Sequence, residues 1–331
     1  SRLTYYDKND KEVTERRYDK LIPSFKGRID TLQVIGDDWS AWSKLYASSG
    51  QEFQSPSPRR YAQLQVRMVT DDPAAAVELN ALEIAFNDPI SQRAVSEIFP
   101  IQVAPGEEHE FQLFFRPLAT KSNGFDRLFL EAPTNARFIG ALLDGEPIEV
   151  ATEPIESGFQ VIFPRALGDD DLVELRFTAR IFQQSTPFAL FIQDSRTGDS
   201  RQRVDSGDAT DQVISSTNIV SLPVARDLLL NVVFNTTVLT PNGDGINDEI
   251  TVLADVINIL EPRLLRLRLY NLAGHLFAER SQTVTAGTQR LAWDGRDQND
   301  QRVAPGLYLL ELHIEGDARQ QRIQRAVSVV Y

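Results

Sequence analysis

Apolar and polar side chains alternate in the stretch Leu172-Val173-Glu174-Leu175-Arg176-Phe177-Thr178-Ala179-Arg180-Ile181. Successive side chains of a β-strand point to opposite faces, so this alternation predicts a strand with one face buried and one face in water. The same pattern occurs in Tyr61–Thr70 and in Leu264–Tyr270. Because these stretches are spread along the chain, β-sheet is the expected structure throughout.

Other short runs also favour strands by their composition. They are Glu110–Arg116, Arg127–Glu131, Phe159–Phe163, Phe188–Gln193, Leu307–Ile314 and Arg322–Val330. Turn pairs such as Asn123-Gly124, Asp144-Gly145 and Pro305-Gly306 separate these runs, whereas helical periodicity is scarce. Short strands with frequent turns and no alternating helices predict an all-β chain of tandem β-sandwich modules.

Length and composition divide the chain into modules. A chain of 331 residues exceeds what one hydrophobic core usually serves, so two or three domains are expected. Asn87-Asp88-Pro89 closes the first strand-rich segment, and the polar stretch Gln202–Asn218 comes near the end of the second. We therefore predict three modules, residues 1–90, 91–222 and 223–331.

Charge and cysteine content restrict the function. The formal net charge of −13 argues against nucleic-acid binding, because phosphates are bound by clusters of Lys and Arg. The chain has no cysteine, which excludes disulfides and thiolate sites and favours an exported bacterial protein. No apolar run approaches the ~20 residues of a membrane helix, so membrane insertion is not expected. The chain starts at Ser1, and removal of a signal peptide and derivation from a longer chain both stay open.

The third module carries four motifs in order. Residues 239–248 read LTPNGDGIND, residues 269–274 read LYNLAG, residues 293–297 read WDGRD and residues 303–308 read VAPGLY. Together they resemble the Ig-like domain of flagellar hook-capping (FlgD-like) proteins and of gliding-motility-associated secreted bacterial proteins. The resemblance covers the last third of the chain. It implies a seven-strand Ig-like sandwich at the end of an exported protein.

Oxygen ligands gather in the first of these motifs. Asn242, Asp244, Asn247 and Asp248 lie close together in sequence, and clustered oxygen ligands are what calcium prefers. The same side chains are also typical caps of their own turns, and both interpretations stay open. Apart from this calcium alternative, no cofactor is expected. The same two alternatives apply to a second acidic loop, formed by Asp294, Asp297, Asn299 and Asp300.

The first module has an aromatic motif before its alternating stretch. Residues 38–43 read DWSAWS and residues 55–64 read SPSPRRYAQL, which resembles discoidin-like jelly-roll modules. Some members of that family bind glycans or surfaces through loops at one end. The resemblance therefore implies Trp39, Trp42 and Tyr46 as a stacking platform for sugar rings, and core packing of these rings is the alternative.

Two smaller features concern contacts and packing. The charged stretch Ser1–Phe25 has no obvious partner strand nearby in sequence, so it is expected to add an edge strand or to contact a neighbouring subunit. In the second module, Phe111, Phe114 and Phe115 are expected to form a core between two sheets.

The sequence lacks the motifs of common enzymes. The three histidines, His109, His275 and His313, are divided between two modules, and no H-E-x-x-H, G-x-S-x-G or Walker A motif occurs. Among 47 acidic residues a chance pair at glycosidase spacing is unavoidable, but each carboxylate is expected to be a solvated surface group. We predict that the chain is not an enzyme.

These observations predict an extracellular or cell-surface structural protein. Rigid sandwich modules would form a surface appendage, fibre or coat by self-association, with further copies of the chain or other surface proteins as partners. Two alternatives stay open. One is a carbohydrate-binding adhesin that uses the first module, and the other is a non-catalytic accessory region of a larger secreted protein.

Overall fold

The computed structural model describes residues 2–32, 39–51, 53–70, 76–120, 124–169, 171–198, 200–224 and 226–331. Nearly all regular structure in these ranges is β-strand, so the predicted all-β class is confirmed. No helix among the described residues is long and apolar enough to cross a membrane. The chain divides into two compact units, Ser1–Pro56 and Ser57–Tyr331, and the module boundaries near residues 90 and 222 stay predictions.

The first unit contains one small antiparallel sheet. Two tyrosine hydroxyls hold a helix beside it: Tyr5 donates to Glu15 Oε1 at 3.0 Å, and Tyr18 donates to the Gly27 carbonyl oxygen at 2.7 Å. The strands lie in the order β2-β1-β3. The elements are β1 (Arg2–Asp7), β2 (Glu12–Val13), helix α1 (Glu15–Asp19), a 3₁₀ turn (Pro23–Phe25) and β3 (Lys26–Leu32).

The N-terminal stretch pairs within its own unit. Thr4 on β1 lies opposite Asp30 on β3, and the two strands run antiparallel. The expectation that this stretch has no nearby partner strand is therefore wrong, because α1 and the 3₁₀ turn bring β3 back beside β1. A contact with a neighbouring subunit stays a prediction.

The alternating stretch Tyr61–Thr70 is not a strand, contrary to the prediction. Residues 53–70 and 76–89 contain neither strand nor helix. A strand needs neighbouring strands to pair its backbone groups and to bury apolar surface. No strand in the described part of the chain pairs with this stretch, so alternation alone does not make a sheet. The jelly-roll fold implied for the first module is not confirmed in the described part of this region.

The middle sandwich has two main sheets. Its strands are β4 (Ser91–Phe99), β5 (Glu108–Thr120), β6 (Phe125–Glu131), β7 (Arg137–Leu143), β8 (Glu146–Ile148), β9 (Ala151–Ile155), β10 (Gly158–Leu167), β11 (Val173–Arg180), β12 (Ser185–Pro187), β13 (Ala189–Gln193), β14 (Gln202–Arg203), β15 (Asp205–Ser206) and β16 (Ile219–Ser221). The sheets have the orders β14-β13-β6-β10-β9 and β15-β4-β5-β11-β7-β8, beside a short pair β12-β16. The predicted strand Leu172–Ile181 is confirmed as β11, which lies between β5 and β7.

Phenylalanine rings fill the space between the two main sheets. Phe177 on β11 packs against Phe111, Phe159 and Phe188, with ring centroids 5.6, 6.0 and 5.5 Å away. Phe159 lies on the opposite sheet, so these rings join the two layers. Offset and edge-to-face aromatic pairs are favourable beyond the area that they bury.

The three phenylalanines expected in this core are divided between two faces of one sheet. Phe111 and Phe115 belong to the core between the sheets, as predicted. Phe114 points to the outer face, where it packs with Val95 and Ala209. The outer face is therefore also covered, by the polar stretch that contains Ala209.

The C-terminal sandwich has eight strands rather than the seven implied by the resemblance. The additional strand is β18, a two-residue strand that pairs in parallel with β24. The two sheets have the orders β17-β19-β22 and β18-β24-β23-β20-β21. The strands are β17 (Leu229–Phe234), β18 (Val238–Leu239), β19 (Ile250–Val256), β20 (Arg263–Asn271), β21 (Leu276–Val284), β22 (Gly287–Trp293), β23 (Gly306–Glu315) and β24 (Gln320–Val329).

Trp293 closes one end of the C-terminal core. Its side chain is 2% exposed, and Nε1 donates to the Arg296 carbonyl oxygen at 2.8 Å. Gly295 follows with a φ of +81°, and a Cβ there would lie 2.8 Å from a methyl carbon of Leu239. The WDG sequence thus combines a large core side chain with a turn that only glycine fits without strain.

Candidate functional site

The loop proposed as a calcium site is closed by its own side chains. Asp248 accepts hydrogen bonds from the backbone N–H of Gly243 at its Oδ1 and of Gly245 at its Oδ2, both at 2.7 Å. Asp244 Oδ1 accepts from the backbone N–H of Ile246 at 2.8 Å. Asn242 Nδ2 donates to the other oxygen of Asp244 at 3.0 Å. These contacts are those of Asx turns, in which side-chain oxygens satisfy backbone donors.

The contacts of Asp248 stabilise its ionised form. The hydrogen bonds from Gly243 and Gly245 lower the pKa of Asp248 below its ordinary value. A carboxylate that accepts backbone N–H groups resists protonation because only the charged form accepts both bonds well. A calcium ion at this loop would have to share these oxygens with the turn.

We expect the Tm of the variant Asp248→Asn to depend less on pH in the acid range than the Tm of the wild type. The depressed pKa contributes stability that is present above the unfolded-state value, about 3.9, and that is lost as the pH falls through the folded-state pKa. Because asparagine does not titrate, the Tm of the variant should fall less than that of the wild type between about pH 5 and pH 3. Differential scanning fluorimetry measures this difference.

Two controls separate the interpretations of this loop. Asp300→Asn removes an exposed carboxylate whose only described partner is a long ion pair of 3.7 Å with Arg296, so it should leave the acid slope unchanged. Parallel melts with calcium and with a chelator test the metal alternative. A calcium-dependent rise in Tm that Asp248→Asn abolishes would show that the loop is an ion site rather than a self-capped turn.

The second acidic loop has the same self-capped construction. Asp297 Oδ1 accepts from the backbone N–H groups of Asn299 and Gln301 at 2.8 and 2.9 Å. The bond from Gln301 is the main cause of a lowered pKa of Asp297. Asp294 Oδ1 accepts from the backbone N–H of Arg296 at 3.3 Å, and Asp294 also forms an ion pair with Arg280, at 3.4 Å.

The structure brings neither acidic loop into a metal-ligand cluster of the usual kind. Among the described residues, no three His, Cys, Asp or Glu side chains lie close enough together to hold a metal ion. Asparagine oxygens also bind calcium, so calcium at Asn242, Asp244, Asn247 and Asp248 stays a prediction. The observed contacts favour turn capping.

The three aromatic residues proposed for glycan binding lie on an irregular segment of the first unit. Trp39 is half-buried, whereas Trp42 and Tyr46 are 59% and 41% exposed. The Tyr46 hydroxyl accepts from the backbone N–H of Gln54 at 3.0 Å. Trp42 is therefore not a core residue in this structure, and its ring is open to a ligand. Binding of a glycan by these residues stays a prediction.

Sequence reasoning missed a polar ladder on the outer face of the five-stranded C-terminal sheet. Arg268 lies between Glu279 and Glu311 on the neighbouring strands, and its Nε donates to Glu279 Oε2 at 2.7 Å. This hydrogen bond raises the pKa of Arg268. Glu311 also accepts from Gln324 Nε2 at 2.7 Å, and His313 Nδ1 lies 3.2 Å from Arg268 Nη1. Alternation on each strand was visible, but the cross-strand pairs depend on register, which the sequence does not state.

The C-terminal sandwich matches a known family. Residues 232–329 match the model of the CHU_C type IX secretion signal domain. No curated protein matches the sequence of this chain. The comparisons do not confirm the resemblance to hook-capping proteins or to discoidin-like modules.

Several solved structures are similar to this chain over a part of their length. Dimeric latent PorU from Porphyromonas gingivalis is 13% identical, with 69% of this chain and 18% of PorU covered and a TM-score of 0.29. PorZ, described as an essential surface component of the type IX secretion system of the same organism, is 15% identical, with 43% and 15% covered and a TM-score of 0.23. The pilus backbone RrgB from Streptococcus pneumoniae is 11% identical, with 72% and 57% covered and a TM-score of 0.24. This chain spans less than a fifth of the length of PorU and of PorZ.

The family match establishes the localisation of the protein. The match to a secretion signal domain runs from within β17 to the end of β24 and so spans the C-terminal sandwich. The protein is therefore exported, and it belongs to the cell surface or the extracellular space.

Proposed function

We propose that this exported chain is a structural protein without enzymatic activity, in which two sandwiches form a stiff pair and associate with further copies of the chain. The observation that carries the proposal is the direct contact between the middle and C-terminal sandwiches. Two sandwiches joined by a flexible linker would move independently. Two sandwiches in direct contact can keep a fixed spacing, as a surface appendage or coat requires.

The two sandwiches meet through a backbone hydrogen bond and through close packing of a glycine against a side chain. The backbone N–H of Asn258, which follows β19, donates to the carbonyl oxygen of Phe182, which follows β11, at 3.0 Å. Gly106 of the middle sandwich lies against Asp255 of the C-terminal one, where a Cβ would come within 2.6 Å of Asp255 Oδ2. Gly106 has a φ of +73°, so both its conformation and its space favour glycine.

The Asp255 carboxylate that faces Gly106 is held by hydrogen bonds from residues of its own sandwich. Asp255 is 6% exposed. Its Oδ2 accepts from Asn231 Nδ2 at 2.8 Å, and its Oδ1 accepts from the Thr288 hydroxyl at 2.6 Å. A buried carboxylate with a partner for each oxygen has little freedom to move. It therefore presents a fixed surface to the neighbouring sandwich.

The C-terminal hairpin of β23 and β24 offers little free strand edge for contact with a neighbouring chain. The outer edge of β24 is covered at one end by β18, which pairs with Ser328 and Val329. Near the other end, Gln321 Oε1 accepts from the backbone N–H of Leu229 at 2.9 Å, and Gln321 Nε2 donates to its carbonyl oxygen at 3.2 Å. Much of this edge is therefore closed to an incoming strand.

Analytical ultracentrifugation and negative-stain electron microscopy of the purified chain test this proposal. We expect species heavier than 37.2 kDa. Their fraction should rise with concentration, because mass action favours association of the chain with further copies. A strict monomer at the highest soluble concentration would contradict self-association. Turnover of a substrate by the pure chain would contradict the absence of enzymatic activity.

One observation favours a second function, carbohydrate binding by the first unit. The exposed ring of Trp42 is of the kind that stacks on sugars, because its apolar face is available to a ligand. A glycan-array signal that the variant Trp42→Ala abolishes would favour this function over a purely structural one.

A further inference from the structure

The largest run of exposed apolar side chains in the described residues lies between residues 61 and 86. Most of these side chains occupy alternate positions within two segments, 61–70 and 76–86, which we call the arm; Tyr61 and Val69 fall outside the alternation. Monomeric proteins rarely leave such patterns in water, so they mark interaction surfaces. The exposed side chains and their exposed fractions are Tyr61 52%, Leu64 42%, Val66 49%, Met68 56%, Val69 68%, Val77 49%, Leu79 50%, Leu82 56%, Ile84 46% and Phe86 89%.

Both ends of the arm are fastened to one side of the middle sandwich. Before the arm, Arg59 Nη2 pairs with Asp205 Oδ2 at 2.7 Å. After it, Asn87 Nδ2 donates to the Ser200 hydroxyl at 2.6 Å, and the backbone N–H of Ile90 donates to Gln202 Oε1 at 2.7 Å. The three anchoring residues lie close together in sequence on and beside β14 and β15. The arm therefore leaves the sandwich and returns to it at nearly the same place.

Because both ends of the arm are anchored close together, its two segments are complementary as antiparallel strands. Met68 and Val66 can face Val77 and Leu79 across a hairpin, with Leu64 opposite Leu82 in the same face. The apolar positions change from odd to even numbers between Leu79 and Leu82, and a single β-bulge accommodates such a change.

The polar positions of the arm carry opposite charges on its two segments. Arg67 belongs to the first segment, and Glu78 and Glu83 belong to the second. Opposite charges on paired strands favour pairing and disfavour the pairing of like segments. The first segment is therefore complementary to the second, and not to itself.

We propose that the arm is a strand-exchange element that docks on the arm of a second copy of this chain. The proposal rests on the proposed self-association and names its interface. Each first segment pairs with the second segment of the partner copy, and the two resulting ribbons pack their apolar faces against each other. Such an interface is isologous, because both copies contribute the same surface, and it closes with two-fold symmetry.

A second copy fits this surface better than an unrelated partner does. The apolar face needs an equally apolar, alternating face of the same length, which sheet-on-sheet packing supplies at about 10 Å spacing. Arg67 of the first segment needs an acidic residue on the strand that pairs with it. The second segment of another copy supplies Glu78 and Glu83 when it runs antiparallel. The arm itself meets both conditions.

Sedimentation equilibrium of the full chain and two matched variants tests the arm. In the variant Leu64→Lys/Val66→Lys, two charges enter the apolar face. In the control Gln63→Lys/Gln65→Lys, the same charges enter the opposite face of the same segment. We expect the wild type and the control to approach twice 37.2 kDa with rising concentration. The apolar-face variant should need at least a ten-fold higher concentration.

Hydrogen exchange locates the pairing. Amides of residues 62–68 and 77–84 should be protected in the wild type at high concentration and exchange freely in the apolar-face variant. If the wild type is monomeric at every concentration, both this proposal and the self-association behind it are wrong. If the wild type and both variants associate equally, or both variants dissociate equally, the chain self-associates through another surface and the arm proposal alone is wrong.

Discussion

The variant Trp293→Ala is expected to lower the free energy of unfolding of the C-terminal sandwich by about 3–5 kcal/mol, the usual cost of truncating a buried tryptophan. The ring is 2% exposed and lies in the core with Leu239, Ile250 and Val303. Truncation removes these contacts and leaves a void at the end of the sandwich. It also removes the donor to the Arg296 carbonyl oxygen. Urea unfolding followed by circular dichroism measures the loss.

Two further variants give this prediction its controls. Trp42→Ala removes the same side chain from a position that is 59% exposed, so its effect should stay within about 0.5 kcal/mol. Trp293→Phe keeps most of the apolar volume but loses the hydrogen bond, and should lie between wild type and alanine. Hydrogen exchange assigns the effect, because the amides of β22 and β23 should open first. Equal effects of Trp293→Ala and Trp42→Ala would mean that Trp293 does not hold this core.

The sequence allowed the C-terminal sandwich to be predicted most completely. Local signals fixed its strands and turns: Trp293 and Gly295 mark the end of one strand, and alternation marks β20 and β23. Each of these features depends on a few neighbouring residues, which is the range over which sequence patterns act. The additional strand β18 was not foreseen, since two residues are too short for any periodicity to be visible.

Features that depend on distant partners were not predictable. The stretch Tyr61–Thr70 alternates as regularly as Leu172–Ile181, yet only the second is a strand. The difference lies in the neighbours, because β11 has β5 and β7 on its two sides, whereas no strand of the described ranges pairs with the first stretch. The polar ladder around Arg268 has the same origin, since register decides which charges meet.

Glu97 is the clearest example of a residue whose role only the structure reveals. It is fully buried on β4, on the outer face of the sheet rather than in the core between the sheets. Its Oε1 accepts from the backbone N–H groups of Ala209 and Thr210, both at 2.8 Å. Arg116 Nε donates to the carbonyl oxygen of Ala209 at 2.8 Å. Glu97 and Arg116 together hold the polar stretch Gln202–Asn218 against the sheet.

The variant Glu97→Ala is accordingly expected to destabilise the middle sandwich by about 3 kcal/mol, because two buried N–H groups lose a charged acceptor, each worth roughly 1.5–3 kcal/mol, and the cost of burying the carboxylate offsets a part of this loss. Glu97→Gln keeps an acceptor at the same place and should cost about half as much. The control Glu107→Ala removes an exposed carboxylate and should have little effect. Urea unfolding gives the free energies, and hydrogen exchange at Ala209 and Thr210 shows whether the stretch has been released.

The relative stabilities of Glu97→Gln and Glu97→Ala show whether the hydrogen bonds to Glu97 hold the covering stretch. Among the described residues, Glu97 Oε2 makes no hydrogen bond, so the carboxylate acts through Oε1 alone. If acceptance by Oε1 is what matters, glutamine must be milder than alanine, and both must speed exchange at Ala209. If alanine is the milder variant, the free-energy cost of burying the carboxylate exceeds the stabilisation that its two hydrogen bonds provide. The covering stretch would then be held by the apolar contacts of Phe114 and Val95 with Ala209 instead.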